Sequence, residues 1–205
     1  MDASLRIVRR LTMVGETVAC AESLTAGLVA AALADVPGAS AVLRGGVVAY
    51  AADLKVALLG VDPALLERLG TVDPAVAAAM AAGARTRLGA TWGLATTGVA
   101  GPGPSEGKPA GTVDIAVAGP AGIRTERLTL HGPRPQVRAE TVRRVLELAA
   151  EVVQAPADGE EGCAAPNLRD DQSGRRYGRS GRTPVEGDAR TRPPPSEDTP
   201  SDGTT

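Results

Sequence analysis

Thr17-Val18-Ala19-Cys20-Ala21-Glu22-Ser23-Leu24-Thr25-Ala26-Gly27-Leu28-Val29-Ala30-Ala31-Ala32-Leu33-Ala34 decides how this chain folds. Residues 17–21 are a short, mostly apolar run suited to a buried strand. Residues 28–34 read as a helix, stopped by Pro37-Gly38. Between them, Glu22–Gly27 supplies carboxylate, hydroxyl and glycine within six residues. A strand that turns directly into a helix is a building unit of an α/β domain. It projects a side chain at the sheet's carboxyl edge and leaves helix-start amides free for an anion.

Working outward, Leu5, Val8, Leu11 and Val14 recur at helical spacing, which predicts a helix over 3–14. Arg44-Gly45-Gly46 leads into a strand expected over Val47–Tyr50. Asp53 is expected to cap a helix reaching Leu59, and Asp62-Pro63 and Asp73-Pro74 open two more. Trp92–Thr97 reads as a strand, followed by a Gly/Pro loop over 98–109. Thr112–Ala118 and Ile123–Leu130 form two strands around Gly119-Pro120-Ala121-Gly122, and a last helix covers 135–153. This alternation predicts a three-layer α/β/α domain, and the 112–130 hairpin makes its sheet mixed.

Composition changes near residue 155. Before it the chain is rich in Ala, Val, Leu and Gly; after it, in Pro, Gly, Ser, Arg, Asp and Glu. The second stretch buries too little apolar surface to offset chain entropy, so the expected organisation is one domain over 1–155 and a disordered tail over 156–205. Basic and acidic residues nearly balance over 1–155, without the excess expected of a nucleic-acid-binding domain. No apolar run approaches a bilayer's ~20 residues. Cys20 and Cys163 form neither a disulfide framework nor a metal-ligand cluster. A cytoplasmic protein without membrane or nucleic-acid partners is expected, needing no cofactor and no metal.

Three features could carry chemistry. Ser23 is either the N-cap of the following helix or a nucleophile presented at a strand end. The chain has only two lysines, Lys55 and Lys108, among 22 basic residues. A lysine can lose its proton when desolvated, whereas arginine effectively cannot. Lys55 lies five residues after Tyr50, so a Ser–Lys pair with a tyrosine beside it is a workable acyl-transfer set; two surface lysines are the alternative. The glycines at 98, 101, 103 and 107 allow close backbone approach to an oxyanion or phosphate, or merely connect two strands. His131, the only histidine, is expected to be structural or solvent-exposed.

Ala21–Gly27, Pro37-Gly38-Ala39-Ser40, Arg44–Tyr50, Gly70–Asp73, Thr97–Pro102 and Lys108–Val113 together resemble the signature blocks of the CinA C-terminal domain family, in order and spacing, over residues 5–153. Leu24, Ala26, Ala51, Ala52, Asp73 and Pro104 depart from the family pattern. The resemblance implies an amidohydrolase of the nicotinamide-nucleotide type, converting nicotinamide mononucleotide (NMN) to nicotinate mononucleotide and ammonia. It implies Ser23 as nucleophile, assisted by Tyr50 and Lys55.

On that basis Lys55, neutralised by burial, takes the Ser23 proton directly or through Tyr50. Backbone amides near Leu24–Thr25 or Gly98–Gly101 hold the oxyanion. The expected substrate-binding set is Thr25, Gly27, Arg44, Gly98, Ala100, Gly101, Arg134 and Arg138, with the arginines meeting the phosphate. The partner is the nucleotide substrate, and a homo-oligomer is expected. The alternative is a non-catalytic nucleotide- or partner-binding module associated with competence or DNA damage.

Overall fold

The computed structural model describes residues 2–154; the tail expected over 156–205 lies outside the described residues. The chain runs α1 (Ala3–Val14), β1 (Val18–Glu22), α2 (Leu28–Ala34), β2 (Leu43–Val48), α3 (Ala52–Leu59), α4 (Pro63–Leu69), α5 (Pro74–Arg87), β3 (Trp92–Gly98), β4 (Thr112–Gly119), β5 (Gly122–Thr129) and α6 (Arg134–Gln154). The strand order is β2-β1-β3-β4-β5. β1 pairs in parallel with β2 and β3, whereas β4 and β5 continue the sheet antiparallel, so the sheet is mixed as expected.

Period-two alternation along β1 builds the two cores. Val18 and Cys20 face one layer with Ile7, Leu11, Val29, Leu33 and Val145. Ala19 and Ala21 face the other with Leu59, Val76, Met80 and Ala84. The second core is mostly alanine, and α5 lies very close to the sheet. A Cβ on Gly93 would stand 2.0 Å from the carbonyl oxygen of Ala81, so only glycine admits α5 there.

Asp62 and Asp73 cap α4 and α5 through the amides of Ala64 and Ala75, each followed by proline at the first helical position. Two boundaries differ from expectation. The second strand is Leu43–Val48, not 47–50, because the ladder to β1 runs through Gly45 and Gly46. A Cβ on Gly46 would meet the Ala30 Cβ at 3.0 Å, so the glycine belongs to the packed strand and is no lead-in. Asp53 is not a cap; Ala51 occupies that position without a side-chain bond, and Asp53 lies in the first turn, favourable for the helix dipole.

β1 connects through α2 to β2 on one side, while β3 lies on its other side. Chain connections therefore diverge at the carboxyl end of β1, the topological switch point where open α/β sheets leave a crevice. Ser23 follows β1, Ala49 and Tyr50 follow β2, and Val99–Gly101 follow β3.

Candidate active site

Those strand ends surround a cavity of about 360 Å³. Ser23, Tyr50, Gly98, Ala100, Gly101 and Arg134 line it. Ser23 is only 8 % exposed, and its amide donates to the Thr96 carbonyl at 3.0 Å, so the turn stays stitched to β3. It is not the N-cap of α2: Gly27 takes that place at φ 98, four residues later. The Ser23 hydroxyl is therefore not spent on a helix start.

Lys55 is fully buried, and its Nζ reaches three acceptors: Ala49 O at 2.7 Å, Ser23 Oγ at 3.1 Å and Tyr50 O at 3.2 Å. Burial pushes the Lys55 ammonium down from 10.5 to about 8, against a smaller upward pull from the Glu106 carboxylate. Once neutral, the amine keeps two N–H groups for the two carbonyls and turns its lone pair to Ser23. Two backbone carbonyls thus orient a base on a hydroxyl.

Tyr50 does not stand between them. Its carbonyl holds Lys55, but its ring is 53 % exposed and its hydroxyl accepts from Arg134 Nη2 at 2.7 Å. Arg134 also donates to Gly101 O at 3.3 Å, joining Tyr50 and the glycine loop across the cavity rim. Lys55 Nζ contacts Ser23 Oγ directly, whereas the Tyr50 hydroxyl is engaged by Arg134.

The turn after Ser23 is held from two sides. Glu22 is buried, and its carboxylate accepts from the amides of Gly27, Val29 and Ala30 at 2.9–3.1 Å. Arg138, on α6, donates Nε to Leu24 O at 2.8 Å and Nη2 to Thr25 O at 2.9 Å. In a trans peptide the N–H points opposite to the C=O. Drawing the Leu24 carbonyl to Arg138 therefore aims the Thr25 amide the other way. Among the described residues, the amides of Leu24, Thr25, Ala100 and Gly101 donate to no protein acceptor. Leu24, Ala100 and Gly101 line the cavity, where their amides are available to an anion.

Several residues expected to touch substrate are used elsewhere. The Thr25 hydroxyl is buried against Thr96 Oγ1 at 2.8 Å. The Gly27 amide is taken by Glu22. Arg44 sits at the amino-terminal end of the ladder, beside Val18 and Ala19, and donates to Leu88 O, so it is at the sheet end opposite Ser23. Arg138 spends two guanidinium nitrogens on carbonyls and does not line the cavity. His131 is exposed.

Glu22 was the residue that sequence reasoning passed over. An acid closing a wholly buried strand, five to eight residues before a helix's first amides, was the available signal. Cys20, behind it in the core, has its thiol pushed up by burial and by the nearby Glu22 charge, the condition of an inert cysteine.

The model of the CinA C-terminal domain matches residues 2–153. The CinA-like protein of Frankia casuarinae is 57 % identical over 132 residues, covering 64 % of this chain and 30 % of that protein. The CinA-like protein of Anaeromyxobacter dehalogenans is 50 % identical over 143 residues, 69 % of this chain and 35 % of that one. The chain thus spans about a third of the length of the curated relatives it matches. Among solved structures, the competence/damage inducible protein of Agrobacterium tumefaciens superposes with a TM-score of 0.71 at 37 % identity, covering 74 % of this chain and 94 % of that one. A CinA superfamily protein of Klebsiella pneumoniae superposes equally, at 0.71 and 33 % identity, over 74 % and 95 %.

Proposed function

The chain belongs to the CinA C-terminal domain family, and we propose that it is a cytoplasmic amidohydrolase that deamidates NMN to nicotinate mononucleotide and ammonia. One observation carries this reading: a fully buried lysine amine, held by two carbonyls, lies 3.1 Å from a serine hydroxyl in the cavity wall. A binding module gains nothing from a desolvated lysine on a serine, and burying such a charge is costly. An amidase gains a base whose neutral form is far more accessible near physiological pH than that of an ordinary lysine.

In the proposed cycle the Ser23 proton passes to Lys55 Nζ as Oγ bonds to the carboxamide carbon. The carbonyl oxygen becomes an oxyanion, held by amides from the Leu24–Thr25 turn or the Ala100–Gly101 loop; each good donor is worth about 3–4 kcal/mol. The C–N bond then breaks, Lys55 returns the proton to the leaving nitrogen, and ammonia departs. Water, deprotonated by the same amine, hydrolyses the acyl-serine to nicotinate mononucleotide. Arg134, on the rim, is the phosphate partner in this reading.

The test is direct. Purified protein incubated with NMN should release ammonia and nicotinate mononucleotide in equal amounts. NMN recovered unchanged, with the protein folded, sinks the proposal and leaves the binding-module reading.

A further inference from the structure

Two charged residues line the cavity among the described residues, Arg134 and Glu106. The reaction above gives Arg134 a phosphate and leaves Glu106 without a task. Glu106 is held with some strain. Glu106 and Gly107 form a two-residue turn between Ser105 and Lys108, closed by Ser105 N–Lys108 O at 3.0 Å and Lys108 N–Ser105 O at 2.9 Å. Both central residues have positive φ, 49° and 72°. A left-handed glutamate is unfavourable where Gly, Asn or Asp is preferred, so its neighbours must hold it.

Thr71 does so. Its amide donates to Glu106 Oε2 at 2.6 Å and its hydroxyl to Oε1 at 2.8 Å. Lys108 fastens the other side of the turn to Leu69 O at 2.9 Å. Gly70 leaves room for this, since a Cβ there would stand 2.4 Å from Glu106 Oε2. The carboxylate is thus fixed at the cavity wall by two neutral donors of Thr71, while the nearby Lys108 ammonium is turned to Leu69 O and forms no ion pair with it. Its field also reaches the Ser23–Lys55 pair, where it favours the protonated amine.

We propose that Glu106 is the specificity-determining residue that recognises the positive ring of a pyridinium nucleotide, setting it apart from an uncharged ring of the same shape. This inference rests on the reading of the site as an NMN amidase. NMN is itself a dipole, a cationic ring at one end and a phosphate at the other. The cavity carries the complementary pair, carboxylate and guanidinium, and Ser23 lines it with them. A ring whose carboxamide meets Ser23, with its ribosyl phosphate toward Arg134, presents its charge to the remaining wall. A carboxylate there compensates the water that the ring gives up on entry.

The test is binding, measured by calorimetry in the Ser23→Ala background so that turnover does not interfere. The ligands are NMN and a benzamide ribonucleoside 5′-phosphate, which has the same shape and phosphate but an uncharged ring. Glu106→Gln keeps an acceptor for the Thr71 amide and a donor for its hydroxyl, so it removes charge and keeps the latch. NMN should bind roughly ten-fold more weakly, while the uncharged isostere changes less than about two-fold. The NMN effect should shrink at high salt. Equal weakening of both ligands would make Glu106 a loop latch alone, and no change in either would take it away from the ring; both outcomes overturn the proposal. A wild-type protein that releases no ammonia from NMN would instead overturn the function on which it rests, and is read separately.

Discussion

Arg138 Nε and Nη2 hold the carbonyls of Leu24 and Thr25 at 2.8 and 2.9 Å, across 114 and 113 residues of chain. The guanidinium therefore acts on the turn that carries Ser23, not on the cavity. Arg138→Met should lower kcat by ten-fold or more and leave KM for NMN nearly unchanged, because it releases a peptide plane that matters in the transition state. Arg134→Ala should do the reverse, raising KM for NMN far more than for unphosphorylated nicotinamide riboside. Steady-state kinetics on both substrates decide it. A KM effect specific to NMN from Arg138→Met would return that residue to the phosphate.

Ser23→Ala should abolish ammonia release and leave melting almost unmoved, since Ser23 caps no helix and loses only its contact with Lys55. Lys55→Met, which keeps the buried volume, should cost about 10²–10⁴ in kcat/KM. A turnover near wild type in either variant would remove that residue from the chemistry.

The rate should depend on pH through Lys55. Only the neutral amine accepts the serine proton, so kcat/KM should rise with pH and level off above about 8. Glu106→Gln removes the upward pull on Lys55 and should move this inflection to lower pH. An inflection left unmoved in that variant would show that the Glu106 field does not reach the amine.

Stability should carry the same signature, with a definite sign. Folding depresses the Lys55 pKa from 10.5 to about 8, so between those values the unfolded chain binds a proton that the folded chain does not. Stability from this group is fully present above 10.5 and is lost as pH falls through 8. The difference amounts to about 3 kcal/mol. Urea unfolding at pH 7 and pH 10.5 should show wild type gaining roughly this much relative to Lys55→Met. An identical pH dependence in both proteins would mean that Lys55 is not desolvated in solution.

Glu22→Gln should destabilise the domain by about 2–3 kcal/mol. It replaces a charged acceptor of three amides with a group that offers one oxygen and turns an NH₂ towards donors. The melting temperature should fall by roughly 4–12 °C. Scanning calorimetry on the two proteins is sufficient, and an unchanged midpoint would show that water replaces the carboxylate at no cost.

The sequence by itself determined the layered architecture. Strand periodicity, the Asp-Pro helix starts at 62–63 and 73–74 and the turn at 119–122 are local signals, written in neighbouring residues. It also singled out Ser23 and Lys55, one by its place at a strand end and the other by the scarcity of lysine. Their contact is not local: 32 residues, with α2 and β2 among them, separate the two, and only the parallel pairing of β1 with β2 brings Ala49 and Tyr50 beside Ser23 to hold the amine. Residue type alone says what the Tyr50 hydroxyl, Arg134 and Arg138 can bond, yet their partners depend on how α6 packs over the sheet end. A side chain's type states what it can bond. Which acceptors come within 3 Å is decided by packing between distant segments, and that exists only in the folded chain.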